Sequence, residues 1–148
     1  MKALIPRRLT GVVVGLGLAA LSAGARADNA GSGVTNGLGD ANGKELFTLI
    51  CQGCHMPNGQ GAVGAGRYPK LAGDPALVSW QYAALRVLNG KGAMPGFGRT
   101  PGPAEFPAPV HLSDAQVADV VNYVRSHFGN RYKAEVKPDQ VAALPHPE

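Results

Sequence analysis

Cys51-Gln52-Gly53-Cys54-His55 is the stretch that decides how this chain folds. Two cysteines three positions apart on a helical turn present their thiols to one side, and the histidine that follows reaches that side from beneath. This is the attachment signature of a c-type haem: two thioether bonds to the porphyrin vinyl groups, and an imidazole under the ring for the iron. The chain has 148 residues and two cysteines, so the pattern uses every thiol. Other readings of C-x-x-C fit less well. A redox dithiol expects a βαβ context, which is not legible here. A zinc site needs a second Cys/His pair at finger-like spacing. A disulfide across two intervening residues is strained.

Outward from the motif, the pattern is helical and interrupted by long loops. Leu46, Phe47, Ile50, Cys51 and Cys54 fall on one helical face, which predicts a first helix starting near Asp40. Residues 57–73 (PNGQGAVGAGRYPKLAG) are a Gly-rich stretch without periodicity, and loops of this length in a compact domain are usually functional. A second helix is predicted over 75–89, with Asp74 as its cap, Pro75 in its first turn and Gly90 as its stop. Its apolar face is Leu77, Trp80, Ala84, Leu85 and Leu88. Residues 90–98 (GKGAMPGFG) form another Gly-rich loop, followed by a Pro-rich stretch, 99–110. A third helix is predicted over 114–128, opened by a Ser113/Gln116 capping box, with Val117, Val120, Val121, Val124 and Phe128 as its apolar face. A tail follows, 131–148, with a short helix at 139–144. No strand pattern or internal repeat is legible. The fold class is all-α: three main helices joined by long Gly/Pro loops.

Composition sharpens this reading. Aromatic residues are only 6% of the chain and charged residues 16%, while glycines number 21 and prolines 12. A coiled coil or a highly charged solvated chain is excluded. Three short helices bury little surface by themselves, so a domain of this size needs a staple. A covalently held porphyrin supplies the missing apolar mass.

The basic net charge of +4 belongs to the leader. Lys2, Arg7 and Arg8 form a basic n-region, Leu9 to Ala23 an apolar region, and Ala25-Arg26-Ala27 a small-x-small cleavage site. Residues 1–27 are therefore read as a signal peptide, cleaved after Ala27 and directing the protein to the periplasm; Arg7-Arg8 hints at twin-arginine export. The alternative is an uncleaved anchor facing the periplasm, although the apolar stretch is shorter than the roughly 20 residues a span needs. Residues 28–39 read as a flexible leader. From Asp28 onward the chain holds ten basic and ten acidic residues, which removes the support for nucleic-acid binding.

The second axial ligand is sought among the methionines. Met56 adjoins His55 and is poorly placed to wrap to the other face of a ring. Met94, in Gly92-Ala93-Met94-Pro95-Gly96-Phe97-Gly98, sits where glycines permit close backbone approach and Pro95 stiffens the chain. A thioether is a soft, neutral ligand suited to low-spin haem iron. The plain alternative is that Met94 packs in the core. His111, His127 and His146 read as solvated side chains.

At these residues the chain resembles the class I mono-haem cytochromes c, over roughly residues 40–130. The resemblance is carried by Gly43 and Phe47, CQGCH at 51–55, YPKLAG at 68–73, GAMPGFG at 92–98 and LSDAQVADVVNYVRS at 112–126. It implies a cytochrome c fold in which the first and last helices cross, with Gly43, Phe47 and Tyr123 at the contact. It also implies that the Pro69 carbonyl accepts the N–H of the ligand histidine, and that Leu71 contacts the cofactor. The expected cofactor is one haem c, held by Cys51 and Cys54 and ligated by His55 and Met94.

With both axial positions filled, substrate reaches the iron only by displacing a ligand, so the expected function is electron transfer rather than catalysis. Gln52, Gly53, Met56 and residues 59–66 are candidates to surround the exposed haem edge. The sequence is similar both to small soluble carriers and to cytochrome subunits of periplasmic dehydrogenases, which makes a dehydrogenase donor and an oxidase or cytochrome acceptor the expected partners. Peripheral contact with a membrane stays open. Arg67, Lys70, Arg86, Lys91 and Arg99 against Asp74 form a locally positive stretch able to steer an acidic partner. Two alternatives remain: a haem enzyme or gas-binding protein with an open or labile sixth position and, far behind it, a thiol–disulfide oxidoreductase.

Overall fold

Asn42 opens the first helical segment with both halves of a capping box: its side chain accepts from the Lys44 and Glu45 amides, and the Glu45 carboxylate takes the Asn42 N–H. The computed structural model describes residues 38–64, 66–105 and 107–148. The predicted signal peptide lies outside the described residues, as does nearly all of the predicted 28–39 leader. The first segment runs unbroken to His55 but changes pitch on the way. Helix α1 (Gly43–Leu46) leads into a π turn (Phe47–Cys51), in which the Gln52 N–H reaches back to the Phe47 carbonyl, and then into α2 (Gln52–His55).

A short hairpin follows, β1 (Ala62–Val63) against β2 (Arg67–Tyr68), antiparallel, with Ala62 opposite Tyr68. It corrects the expectation of no strand: two residues a side are too few to show alternation. The predicted helix over 75–89 is also corrected. It is two pieces, a 3-10 turn Pro75–Val78 capped by Asp74 and helix α3 (Trp80–Asn89). Ser79 stands extended between them (ψ 105°), and its hydroxyl caps α3 through the Tyr82 amide. Helix α4 (Asp114–Ser126) carries the predicted Ser113/Gln116 capping box and stops two residues short of the predicted end, with His127 extended. Helix α5 is Pro138–Ala142.

The core forms around α4, which packs against α1, α3 and α5. Its Val117, Val120, Val121 and Val124 are buried with Leu46, Phe47, Ala84, Leu88 and Leu112. Gly43 lies directly on α4: a Cβ there would overlap the Asp119 carbonyl and come within 2.9 Å of the Tyr123 Cβ. Phe47 packs against the Tyr123 and Phe128 rings, with centroids 5.7 and 4.8 Å away. Residues 131–148, read as a tail, return to α4. Asn122 exchanges two 2.8 Å hydrogen bonds with the Val136 backbone, and Val136 and Val141 are buried.

His146 pins the end of this segment. Its Nε2 lies 2.7 Å from Asp114 Oδ1 and its Nδ1 2.8 Å from the Leu144 carbonyl. Acceptors on both sides call for a donor on both nitrogens, which is the imidazolium. The bond to Asp114 raises its pKa above the usual 6.5. A raised folded-state pKa gives stability that is full below the unfolded value and is lost as pH rises through the folded one. The pair is about one-third exposed, so the effect is below about 1 kcal/mol. Thermal melts of the holoprotein are expected to fall slightly as pH rises above 6.5, and His146→Gln should flatten that slope.

Candidate haem site

The two sides of the site are built by different stretches of backbone. His55, at the end of α2, is 8% exposed, and its Nδ1 lies 2.9 Å from the Pro69 carbonyl. A carbonyl only accepts, so Nδ1 carries the proton, and Nε2 of the neutral ring keeps its lone pair for a metal. Gly61 makes this approach feasible. It has φ +66°, its amide bonds to the His55 carbonyl (3.0 Å), and a Cβ there would run into Tyr68 and Pro69 backbone. The 57–73 loop is fastened further by Leu71 N–H to Gly59 O (2.7 Å) and by Asn130, whose side-chain amide donates to the Leu71 and Val124 carbonyls, each at 2.9 Å.

A second part of the lining is the strap carrying Met94. Lys91 and Met94 exchange backbone hydrogen bonds, Phe97 N–H bonds to Val87 O, and Gly98 N–H bonds to Leu88 O. Three of the strap's four glycines lie against the chain itself: Gly90 (φ +68°) faces the backbone of Met94, Pro95 and Gly96, while Gly96 and Gly98 lie against the end of α3.

Between the two sides is a cavity of about 290 Å³. Cys51, Cys54, His55, Pro69 and Leu71 line it from one side; Met94, Pro95 and Phe97 line it from the strap; α3 adds Ala83, Arg86 and Val87, and α4 adds Val120, Val121 and Val124. All the site residues predicted from sequence meet at this one cavity. Gln52, Gly53, Met56 and the described residues within 59–66 do not line it, while Arg67 and Tyr68 do. Of the positive stretch, Arg67, Arg86 and Lys91 line it, but Arg99 is spent in a two-pronged pair with Glu105 (2.9 and 2.7 Å). That pair holds the Glu105 carboxyl down at about 2.

The residues present fit a haem. The walls are mainly apolar, both thiols and one imidazole open onto them, and Arg86 supplies a further sign. Its Nε is buried without a hydrogen-bond partner among the described residues, while its guanidinium lies 4.9 Å over the Tyr82 ring. A buried unpaired donor on a cavity wall suits an acidic substituent of a bound ring. Cys51 points away from dithiol chemistry: burial pushes its thiol up to about 11, whereas a reactive dithiol needs a lowered value. His127 stacks on Tyr123 and bonds to its carbonyl, and His111 lies outside the cavity. Among the described residues no helix is long and apolar enough to cross a membrane. Sequence reasoning missed Asn130, Gly61 and the buried Arg86 Nε; the glycine alone had a legible signal, its place within a loop already read as functional.

A family model described as Cytochrome c matches residues 41–128. The cytochrome c subunit of the quinone alcohol dehydrogenase of Gluconobacter oxydans (strain 621H) is 33% identical over 110 residues, which is 73% of this chain and 22% of that protein. The gluconate 2-dehydrogenase cytochrome c subunit of Pantoea cypripedii is 36% identical over 107 residues, 69% of this chain and 23% of that protein. Cytochrome c6 of Gloeothece citriformis (strain PCC 7424) is 33% identical over 89 residues, 58% of this chain and 70% of that protein. The chain thus spans about a fifth of the length of the dehydrogenase subunits it matches. The match runs from the attachment helix through α4, and so takes in both sides of the cavity. The chain belongs to the cytochrome c family, whose domain carries covalent haem c.

Proposed function

We propose that this protein is a one-electron carrier with His55 and Met94 as axial ligands, working in the periplasm as a soluble carrier or as the electron-accepting partner of a dehydrogenase. One observation carries the ligand assignment. His55 and Met94, held by separate stretches of backbone, line a single cavity, and His55 has Nδ1 committed to Pro69, leaving Nε2 for the iron. Bound haem supplies one-electron iron chemistry. The chain's part is to hold the imidazole in one tautomer, to keep water out with the α4 valines, and to bring a neutral thioether to the other face. Neutral ligands and apolar walls disfavour the more charged ferric state and so favour a high potential.

The cellular role rests on the relatives and the leader. The dehydrogenase cytochrome subunits support a dehydrogenase donor, and the cytochrome c6 relatives support a free carrier. An oxidase or another cytochrome is the acceptor this reading requires. The leader's n-region, apolar stretch and Ala25-Arg26-Ala27 support export and cleavage after Ala27.

The test is carbon monoxide binding to the ferrous protein, wild type against Met94→Ala. Wild type is expected to bind slowly or not at all, and Met94→Ala at once. The variant should also lose the methionine-to-iron charge-transfer band of the ferric form. Its potential should fall by on the order of 100 mV, well within the roughly 0.8 V range that axial ligands command. Immediate binding by wild type would replace this reading with that of a haem enzyme or gas-binding protein.

A further inference from the structure

Arg125, near the end of α4, is 3% exposed, which is unusual for a residue type almost never fully buried unless paired. Its Nε donates to the Leu77 carbonyl at 3.0 Å and its Nη1 to the Ala134 carbonyl at 2.6 Å. Its guanidinium lies 5.7 Å from the centroid of the Tyr132 ring. The ion pairs among the described residues are Arg99–Glu105 and Asp114–His146, and Arg125 belongs to neither. Burial pulls its pKa below the usual value, yet a guanidinium keeps its proton at physiological pH. The result is a fixed positive charge, stabilised by two carbonyl dipoles and a ring face, with no carboxylate partner among the described residues.

Its position gives that charge a use. Val124, its neighbour on α4, lines the haem cavity, and so does Leu77, whose carbonyl takes its hydrogen bond. The guanidinium therefore stands directly behind the cavity wall, where water and salt screen it weakly. Burying an unpaired cation costs stability that an apolar residue would not. A charge kept there acts on whatever changes charge beside it, which in this protein is the iron.

We propose that Arg125 is an electrostatic determinant of the reduction potential. Its uncompensated charge opposes the ferric state, which carries one more positive charge than the ferrous state, and so raises the potential. Accepting one electron at the iron removes one unit of repulsion, and no bond is made or broken. The proposal rests on the haem c reading of the cavity.

The test is spectroelectrochemical titration of the holoprotein. At a fixed applied potential, Arg125→Gln is expected to raise the ferric-to-ferrous ratio about threefold to tenfold, tenfold being 59 mV for a one-electron couple. Arg125→Lys keeps the charge but not the forked donor, and should stay within about twofold of wild type. Equal shifts in both variants would reduce Arg125 to a packing residue and overturn the proposal, as would no shift in Arg125→Gln. Should Arg125→Gln not fold, Tyr132→Glu against Tyr132→Gln decides. The first sets a carboxylate beside an intact Arg125 and should raise the ratio relative to the second, whereas equal ratios would overturn the proposal. A protein with no covalent haem in a pyridine haemochrome spectrum would instead sink the cavity reading itself.

Discussion

Gly43→Ala is expected to destabilise the holoprotein by about 3 kcal/mol, the upper end of what an overpacked contact usually costs. Elsewhere in a helix, replacing glycine by alanine gains up to about 1 kcal/mol. Here the new methyl group has nowhere to go. It would overlap the Asp119 carbonyl and crowd the Asp119 carbonyl carbon and the Tyr123 Cβ, at 2.7 and 2.9 Å. Two of those three atoms are backbone in the middle of α4, so relief requires moving one helix off the other. That separation would also loosen Phe47 from Tyr123 and Phe128. For a domain of this size the loss corresponds to a melting temperature lower by roughly 15 °C, measurable by circular dichroism. A variant that melts within about 3 °C of wild type would mean that the helices have slack the packing does not show.

Gly90→Ala is expected to strike the site rather than the fold. Gly90 closes α3 at φ +68° and ψ −174°, a conformation that side chains rarely adopt, at a strain of about 1–3 kcal/mol. A Cβ would also overlap the Met94 carbonyl and lie within 2.6 Å of the Gly96 nitrogen and 2.7 Å of the Pro95 carbonyl carbon. Those three residues belong to the strap. It should therefore swing away from α3, breaking the Lys91–Met94 backbone pair and taking the thioether from its place. The expected phenotype resembles Met94→Ala: prompt carbon monoxide binding by the ferrous form and a weakened charge-transfer band in the ferric form. The attachment side should be untouched, because the His55–Pro69 hydrogen bond belongs to a different stretch of backbone. Retention of a full-strength band would show that the strap tolerates the new methyl group.

Much of this architecture was legible because its signals are local. C-x-x-C-H fixed the chemistry, the Ser113/Gln116 box fixed the start of α4, and the valine spacing fixed its inner face. The break at Ser79 was hidden because Leu77, Trp80, Ala84 and Leu88 continue one helical phase across it, and Asp74-Pro75 already offered a start. A serine three residues before Tyr82 was the available clue. Residues 131–148 read as a tail because Val136 and Val141, set among polar residues, make no period. Val136 is fastened to α4 by Asn122, fourteen positions before it, and no pattern in the letters announces that pairing. The burial of Arg125 was equally unreadable: its partners are main-chain carbonyls at Leu77 and Ala134, and a carbonyl has no letter in the sequence.

The π turn at Phe47–Cys51 sets the phase between two duties of one continuous helical segment. Upstream, Gly43 and Leu46 must look toward α4; downstream, Cys51, Cys54 and His55 must look into the cavity. An α-helix advances about 100° per residue, so the one additional residue held in the wide turn offsets these directions by about that angle. Excising one residue there would straighten the spiral and force a choice. The segment could keep its grip on the partner helix or keep its aim at the metal, but a uniform spiral of the same letters could not do both.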